Sequence, residues 1–122
     1  MRILVVDDNQ DFGQGLGGIL TSNGYEVTVA SSPDAYIGNV VDGIYDVVFT
    51  DERMPGIGGL GFIEVVRTNG GKTPFIMISG TSNIASLVQG AQYRPNEVIT
   101  KPCRAEDVLS ILGRLSAIKG EY

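Results

Sequence analysis

Short apolar runs alternate along this chain with longer segments whose apolar residues recur at helical spacing. Residues 2–7 (RILVVD), 46–50 (DVVFT), 74–79 (PFIMIS) and 97–101 (EVITK) have few polar interruptions, which suits strands covered on both faces. Residues 25–30 (YEVTVA) alternate instead, with Tyr25, Val27 and Val29 opposite Glu26, Thr28 and Ala30. Such a strand has one wetter face and belongs at the edge of a sheet. Between these runs, Phe12, Leu16, Ile19 and Leu20 form the apolar stripe of a first helix that Gly24 ends with a left-handed cap. Ser32 and Pro33 read as N-cap and first turn of a second helix carrying Tyr36, Ile37, Val40 and Val41. A third helix is predicted over 59–68, stopped by Asn69-Gly70-Gly71, and a short fourth over 83–90, bounded by Arg94-Pro95. The last, over 104–119, carries Val108, Leu109, Ile111, Leu112, Leu115 and Ile118 on a wide stripe. Most of that stripe is expected in the core, while Ile111 or Ile118, if left outside, would offer a partner surface. Repeated βα units of this kind predict an open, doubly wound, mainly parallel five-stranded sheet, and the strand order 2-1-3-4-5 puts the alternating strand at an edge.

Composition narrows the picture. A length of 122 residues with 43% hydrophobic content predicts one compact domain over 1–122. The formal charge of -5, without a Lys/Arg cluster, argues against nucleic-acid binding, so any DNA-directed output would lie elsewhere. No apolar stretch reaches the roughly 18 residues of a membrane span. The run after Met1-Arg2 is too short for a signal sequence, and a cytoplasmic location is expected. Cys103 is the single cysteine and there is no histidine, which excludes an internal disulfide and leaves a zinc site almost without ligands. Cys103 itself reads as a packed or partly exposed thiol. Glycine is frequent, and Gly13, Gly15, Gly17 and Gly18 fall within the first predicted helix. Each costs about 1 kcal/mol relative to Ala there, so that helix is expected to fray more readily than the last.

The candidate chemistry lies at the carboxyl ends of the runs, where Asp7, Asp8, Asp51, Ser79 and Lys101 stand. In an open α/β sheet these ends share one crevice. Three carboxylates meeting there would repel one another and resist ionisation unless a cation neutralised them. Magnesium suits the site, because it prefers oxygen ligands and bridges one or two carboxylates to a phosphoryl group. Lys101 offers a flexible point charge and Ser79 a hydroxyl donor, both matched to phosphoryl oxygens. No Cys, Ser or His is placed as a base-activated nucleophile, so a carboxylate is the best acceptor, and carboxylates do form aspartyl-phosphates. Asp51 is the better candidate, since it ends the central strand and precedes a turn with Pro55, Gly56, Gly58 and Gly59. Taken singly, each Asp also reads as a strand-end or turn residue, Ser79 as a loop cap and Lys101 as a solvated strand end. Met54-Pro55 reads as shaping the loop after Asp51.

These residues resemble the receiver domain of two-component response regulators. The chain carries Asp7-Asp8, Asp51-Glu52-Arg53-Met54-Pro55-Gly56, Ser79-Gly80 and Lys101-Pro102 in the order of that family's marks, and the likeness covers essentially the whole chain. It implies a flavodoxin-like (βα)5 fold like that of CheY. It also implies that Asp51 accepts phosphate from a sensor histidine kinase or a histidine phosphotransfer protein. Magnesium would be held by Asp7, Asp8, Asp51 and the backbone carbonyl of Arg53. Ser79 and Lys101 would bind phosphoryl oxygens and pass the signal to the fourth and fifth helices, and the Lys101-Pro102 bond would be cis. The domain would then be no turnover enzyme but a switch that catalyses only its own phosphorylation and dephosphorylation. Its partners would include a C-terminal output domain in a longer chain, or a second copy docked through the face of the fourth helix, fifth strand and fifth helix.

The chain departs from the family at Val98, where Tyr or Phe is usual, so an aromatic rotamer switch at that position is excluded. Residues 92–96, with Pro95, replace the usual turn before the fifth strand, and Tyr93 reads as a surface aromatic after the fourth helix. Arg53 and Thr81 occupy positions associated with phosphoryl lifetime. These departures keep open a degenerate receiver that acts as a phosphorylation-independent interaction module. A haloacid-dehalogenase-like phosphatase is disfavoured, because Arg53 stands where a second Asp is needed.

Overall fold

The computed structural model describes residues 1–120, with side chains described as far as Leu115. Its elements, in chain order, are β1 (Arg2–Val6), α1 (Gln10–Ser22), β2 (Glu26–Ala30), α2 (Ile37–Val41), β3 (Val47–Asp51), α3 (Gly58–Thr68), β4 (Phe75–Ser79), α4 (Ile84–Gln89), β5 (Glu97–Thr100) and α5 (Ala105–Gly120). The five strands form one sheet in the order β2-β1-β3-β4-β5, every pair parallel. This is the flavodoxin-like order expected from the alternation of βα units.

The uninterrupted strands are apolar on both faces because helices cover both. Ile3, Val5, Phe49, Ile76 and Ile78 pack with Leu16 and Leu20 of α1 and Val108 and Leu112 of α5. Leu4, Val6, Val48, Phe75 and Met77 pack on the other face with Val40 of α2 and Phe62, Ile63 and Val66 of α3. Each such side chain, fully buried, contributes about 1.5–3 kcal/mol. Strand β2 lies at the edge, with Glu26 exposed and the remaining residues half-buried. Ile111 is buried in the first of these layers, so it offers no partner surface, and Ile118 lies outside the described side chains. Among the described residues no helix is long and apolar enough to cross a membrane.

Three expectations change. Ser32 does not cap α2: its Oγ accepts the Asp34 N–H at 3.4 Å, Tyr36 N–H closes a turn on the Pro33 carbonyl at 2.9 Å, and the helix begins only at Ile37. Gly38 and Asn39 are weak helix formers, and a single turn suffices to bury Val40. Tyr93, expected on the surface, is half-buried against the α2/α3 layer, as is Val98. The two belong to one apolar layer despite the polar turn between them. Finally, β1 and β5 each end one residue earlier than expected, which leaves Asp7 and Lys101 just beyond their strands.

The glycines of α1 divide into two kinds. A Cβ on Gly17 would stand 2.7 Å from Val29 Cγ2, whereas one on Gly18 would meet nothing within 4 Å. Helix α1 therefore lies closer to β2 than any larger residue at Gly17 would permit. Gly18→Ala should raise the unfolding free energy by about 0.5–1 kcal/mol, and Gly17→Ala should lower it. Urea denaturation of the two variants checks this, and equal shifts of the same sign would contradict the close approach.

Candidate functional site

All five polar residues singled out above stand at the carboxyl edge of the sheet, where β1 and β3 separate towards different helices. Asp7 follows β1 and is buried, with Oδ1 accepting the Asn9 N–H at 2.9 Å. Asp8, beside it, is exposed. Asp51 ends β3 and is half-buried. Carboxylate oxygens of Asp7, Asp8 and Asp51 lie within 4.8 Å of one another. Lys101 reaches across from the end of β5, its Nζ 3.3 Å from Asp7 Oδ2 and 3.7 Å from Asp51 Oδ2. Its backbone N–H donates to the Ser79 carbonyl at 2.7 Å, and the peptide bond to Pro102 is cis.

The loop after Asp51 explains its glycines. Gly56 and Gly58 have φ of +89° and +70°, a region that β-carbon sterics disfavour. At Gly59 an added Cβ would collide with the Asp51 carbonyl oxygen, so only glycine allows α3 to start this close to the strand end. The Gly59 N–H then donates to the Glu52 carbonyl at 3.1 Å and holds the loop down. Arg53 follows in the same loop, its side chain exposed and its Nε 3.5 Å from Glu52 Oε2.

Ser79 ends β4 and is buried, its Oγ accepting the Thr81 N–H at 3.0 Å. Thr81 Oγ1 in turn donates to Glu52 Oε2 at 2.9 Å, which ties the β4–α4 loop to the β3–α3 loop. Asp51, Arg53, Ser79, Thr81, Asn83 and Lys101 line an open cavity of about 490 Å³. Two participants escaped the sequence reading. Glu52 reaches the β4–α4 loop through Thr81, far away in sequence, and Phe12 was assigned to the core stripe, although Lys101 Nζ lies 4.3 Å from its ring centroid.

The electrostatics follow from this geometry. Burial pushes the Asp51 carboxyl above its ordinary value, the neighbouring Asp7 charge adds to the rise, and Lys101 opposes it. The acidic cluster fits a hard divalent ion. Oxygens bound to one magnesium at about 2.1 Å stand no more than about 4.2 Å apart.

An open parallel α/β sheet of this strand order, with an acidic cluster and a lysine at its carboxyl edge, defines the receiver class of signalling domains. A family model for the response regulator receiver domain matches residues 3–113, and the chain belongs to that family. It is 32% identical over 110 residues to the transcriptional regulatory protein DltR of Streptococcus agalactiae, a match covering 90% of this chain and 49% of that protein. The chain thus spans about half the length of the curated relatives it matches. Among solved structures it is similar to the receiver domain of NtrX from Brucella abortus, with a TM-score of 0.81 and 30% identity over 93% of this chain and 96% of that one. It is also similar to the chemotaxis protein CheY4 of Vibrio cholerae, with a TM-score of 0.77 and 26% identity over 93% and 97% of the two chains.

The raised Asp51 carboxyl has a consequence for stability. The native state holds this proton more tightly than the unfolded chain, so the group's contribution is greatest below the ordinary Asp value of about 3.9 and is lost as pH rises through the raised one. In metal-free buffer at pH 7, Asp51→Asn should therefore melt above the wild type. The gap should close as the pH is lowered towards the ordinary Asp value. Thermal melts across this range check it, and a variant less stable at neutral pH would show that the ionised carboxylate supports the fold.

Proposed function

We propose that this receiver accepts a phosphoryl group on Asp51 in a magnesium-dependent reaction and thereby switches its surface for a second protein. The observation that carries this reading is the cluster of Asp7, Asp8 and Asp51, with the Lys101 ammonium ion-paired with Asp7 and Asp51 beside an open cavity. The donor is a phosphohistidine on a sensor histidine kinase or a histidine phosphotransfer protein. An Asp51 carboxylate oxygen attacks the phosphorus, the P–N bond breaks, and the departing imidazole nitrogen keeps the bonding electrons. Asp7, Asp8, Asp51 and the Arg53 carbonyl would hold magnesium, whose charge would offset that of the phosphoryl oxygens. Lys101 leaves its carboxylate partners to meet one phosphoryl oxygen, and the Ser79 hydroxyl donates to another.

The Ser79 shift is transmitted because its Oγ holds the Thr81 N–H and Thr81 holds Glu52. With Val98 in place of an aromatic, the readout runs through the packing of Val98 and Tyr93 on the α2/α3 layer rather than through a ring flip. Recipients of the signal are an output domain in a longer chain, in keeping with relatives of about twice this length, or a second copy through the α4–β5–α5 face. The domain works in the cytoplasm, turns over no other substrate and binds no nucleic acid itself.

Incubation with acetyl phosphate, with and without magnesium, tests the reaction by mass spectrometry. The expected result is one added phosphoryl group in the wild type that requires magnesium and is absent from Asp51→Asn. A wild type that stays unmodified would replace this reading with the phosphorylation-independent interaction module. Arg53 lines the cavity as an exposed cation paired with Glu52, and Arg53→Ala should lose phosphate several-fold faster by admitting water to the acyl phosphate. Equal dephosphorylation rates would remove that shielding role.

A further inference from the structure

Phe12 stands on the first turn of α1, and part of its ring packs against the α1/α5 layer of the core. The same ring receives Lys101 Nζ at 4.3 Å from its centroid, inside the range of a cation–π contact. We infer that Phe12 is a positioning residue for Lys101, a platform that holds the ammonium between Asp7 and Asp51. This rests on the phosphoacceptor reading above and adds to it an apolar residue beside the polar strand-end set.

The backbone around the ring is tied to the same site. Asp7 Oδ1 accepts the Asn9 N–H at 2.9 Å, and Asn9 Oδ1 accepts the Phe12 N–H at 3.2 Å as the N-cap of α1. The Lys101 ammonium closes the circuit by donating to Asp7 Oδ2 at 3.3 Å. Four residues from two distant parts of the chain thus form one ring of contacts, so the aromatic platform and the carboxylate share a common frame.

The chemistry explains why a ring serves here. Lysine has a flexible four-carbon stem and three donors, and its ammonium must leave carboxylate oxygens for a phosphoryl oxygen during the reaction. An acidic side chain in place of Phe12 would compete for those donors. An aliphatic one would leave the stem free to swing. An aromatic face attracts the cation without taking up any hydrogen-bond donor, so the ammonium is confined while its protons stay available.

The test uses Phe12→Leu, which keeps an apolar side chain but removes the π face, and Phe12→Tyr, which retains it. Acetyl phosphate serves as donor, so that docking of a partner protein plays no part. Phe12→Leu should be phosphorylated about three- to tenfold more slowly, with Phe12→Tyr close to the wild type. Independently of activity, NMR should show the Lys101 ε-methylene protons shifted upfield by the ring current in the wild type and Phe12→Tyr. They should return to ordinary values in Phe12→Leu. A wild type lacking the upfield shift overturns the inference, as does phosphorylation at the wild-type rate in Phe12→Leu or an equal loss in both variants. Failure of the wild type itself to accept phosphate overturns instead the reading on which the inference rests.

Discussion

The Lys101 ammonium, hydrogen-bonded to Asp7 at 3.3 Å and ion-paired with Asp51 at 3.7 Å, is the interaction around which the site is arranged. Three carboxylates at one sheet edge repel one another, and burial of Asp51 makes its ionised form harder still to hold. A single lysine offsets this only in part, so the cluster retains excess negative charge, which a further cation would offset. The fold supplies the arrangement through topology alone. Parallel strands end at the same edge, and the order β2-β1-β3-β4-β5 places β1 and β3 side by side, so Asp7 and Asp51 are neighbours although far apart in sequence.

Around that pair the loops are held by contacts too specific to be incidental packing. Gly59 lets α3 begin against the Asp51 carbonyl, and Gly56 and Gly58 carry the chain through positive φ. On the other side, Ser79, Thr81 and Glu52 form a chain of hydrogen bonds between two loops. Asp51 therefore lies between a closely packed loop and a hydrogen-bonded rim. The phosphoacceptor reading needs that combination, because a signal written on one carboxylate must move a surface some distance away. Val98 takes no part in those hydrogen bonds and packs instead on the α2/α3 layer.

Much of this was legible beforehand. The strands were readable because helices cover both of their faces, which makes apolar runs obligatory, and the single alternating run marked the edge strand β2. Acidic, hydroxyl and lysine residues at strand ends pointed to the crevice because parallel topology leaves them nowhere else to converge. What resisted reading was short-range or tertiary. The start of α2 depended on whether a Ser-Pro turn would propagate through Gly38 and Asn39, a local competition decided by the burial of Val40.

The amino-acid sequence by itself determined the sheet, its order and which five polar residues stand at the carboxyl ends of its strands, since periodicity and strand-end chemistry are properties of the chain in isolation. Only the tertiary structure decided that Phe12 meets a lysine as well as the core, that Glu52 anchors Thr81, and that Tyr93 turns inward to join Val98. Those contacts join elements distant in sequence. Pattern assigns a residue to a face, but its partners depend on distances of a few ångströms that exist only once the elements have packed.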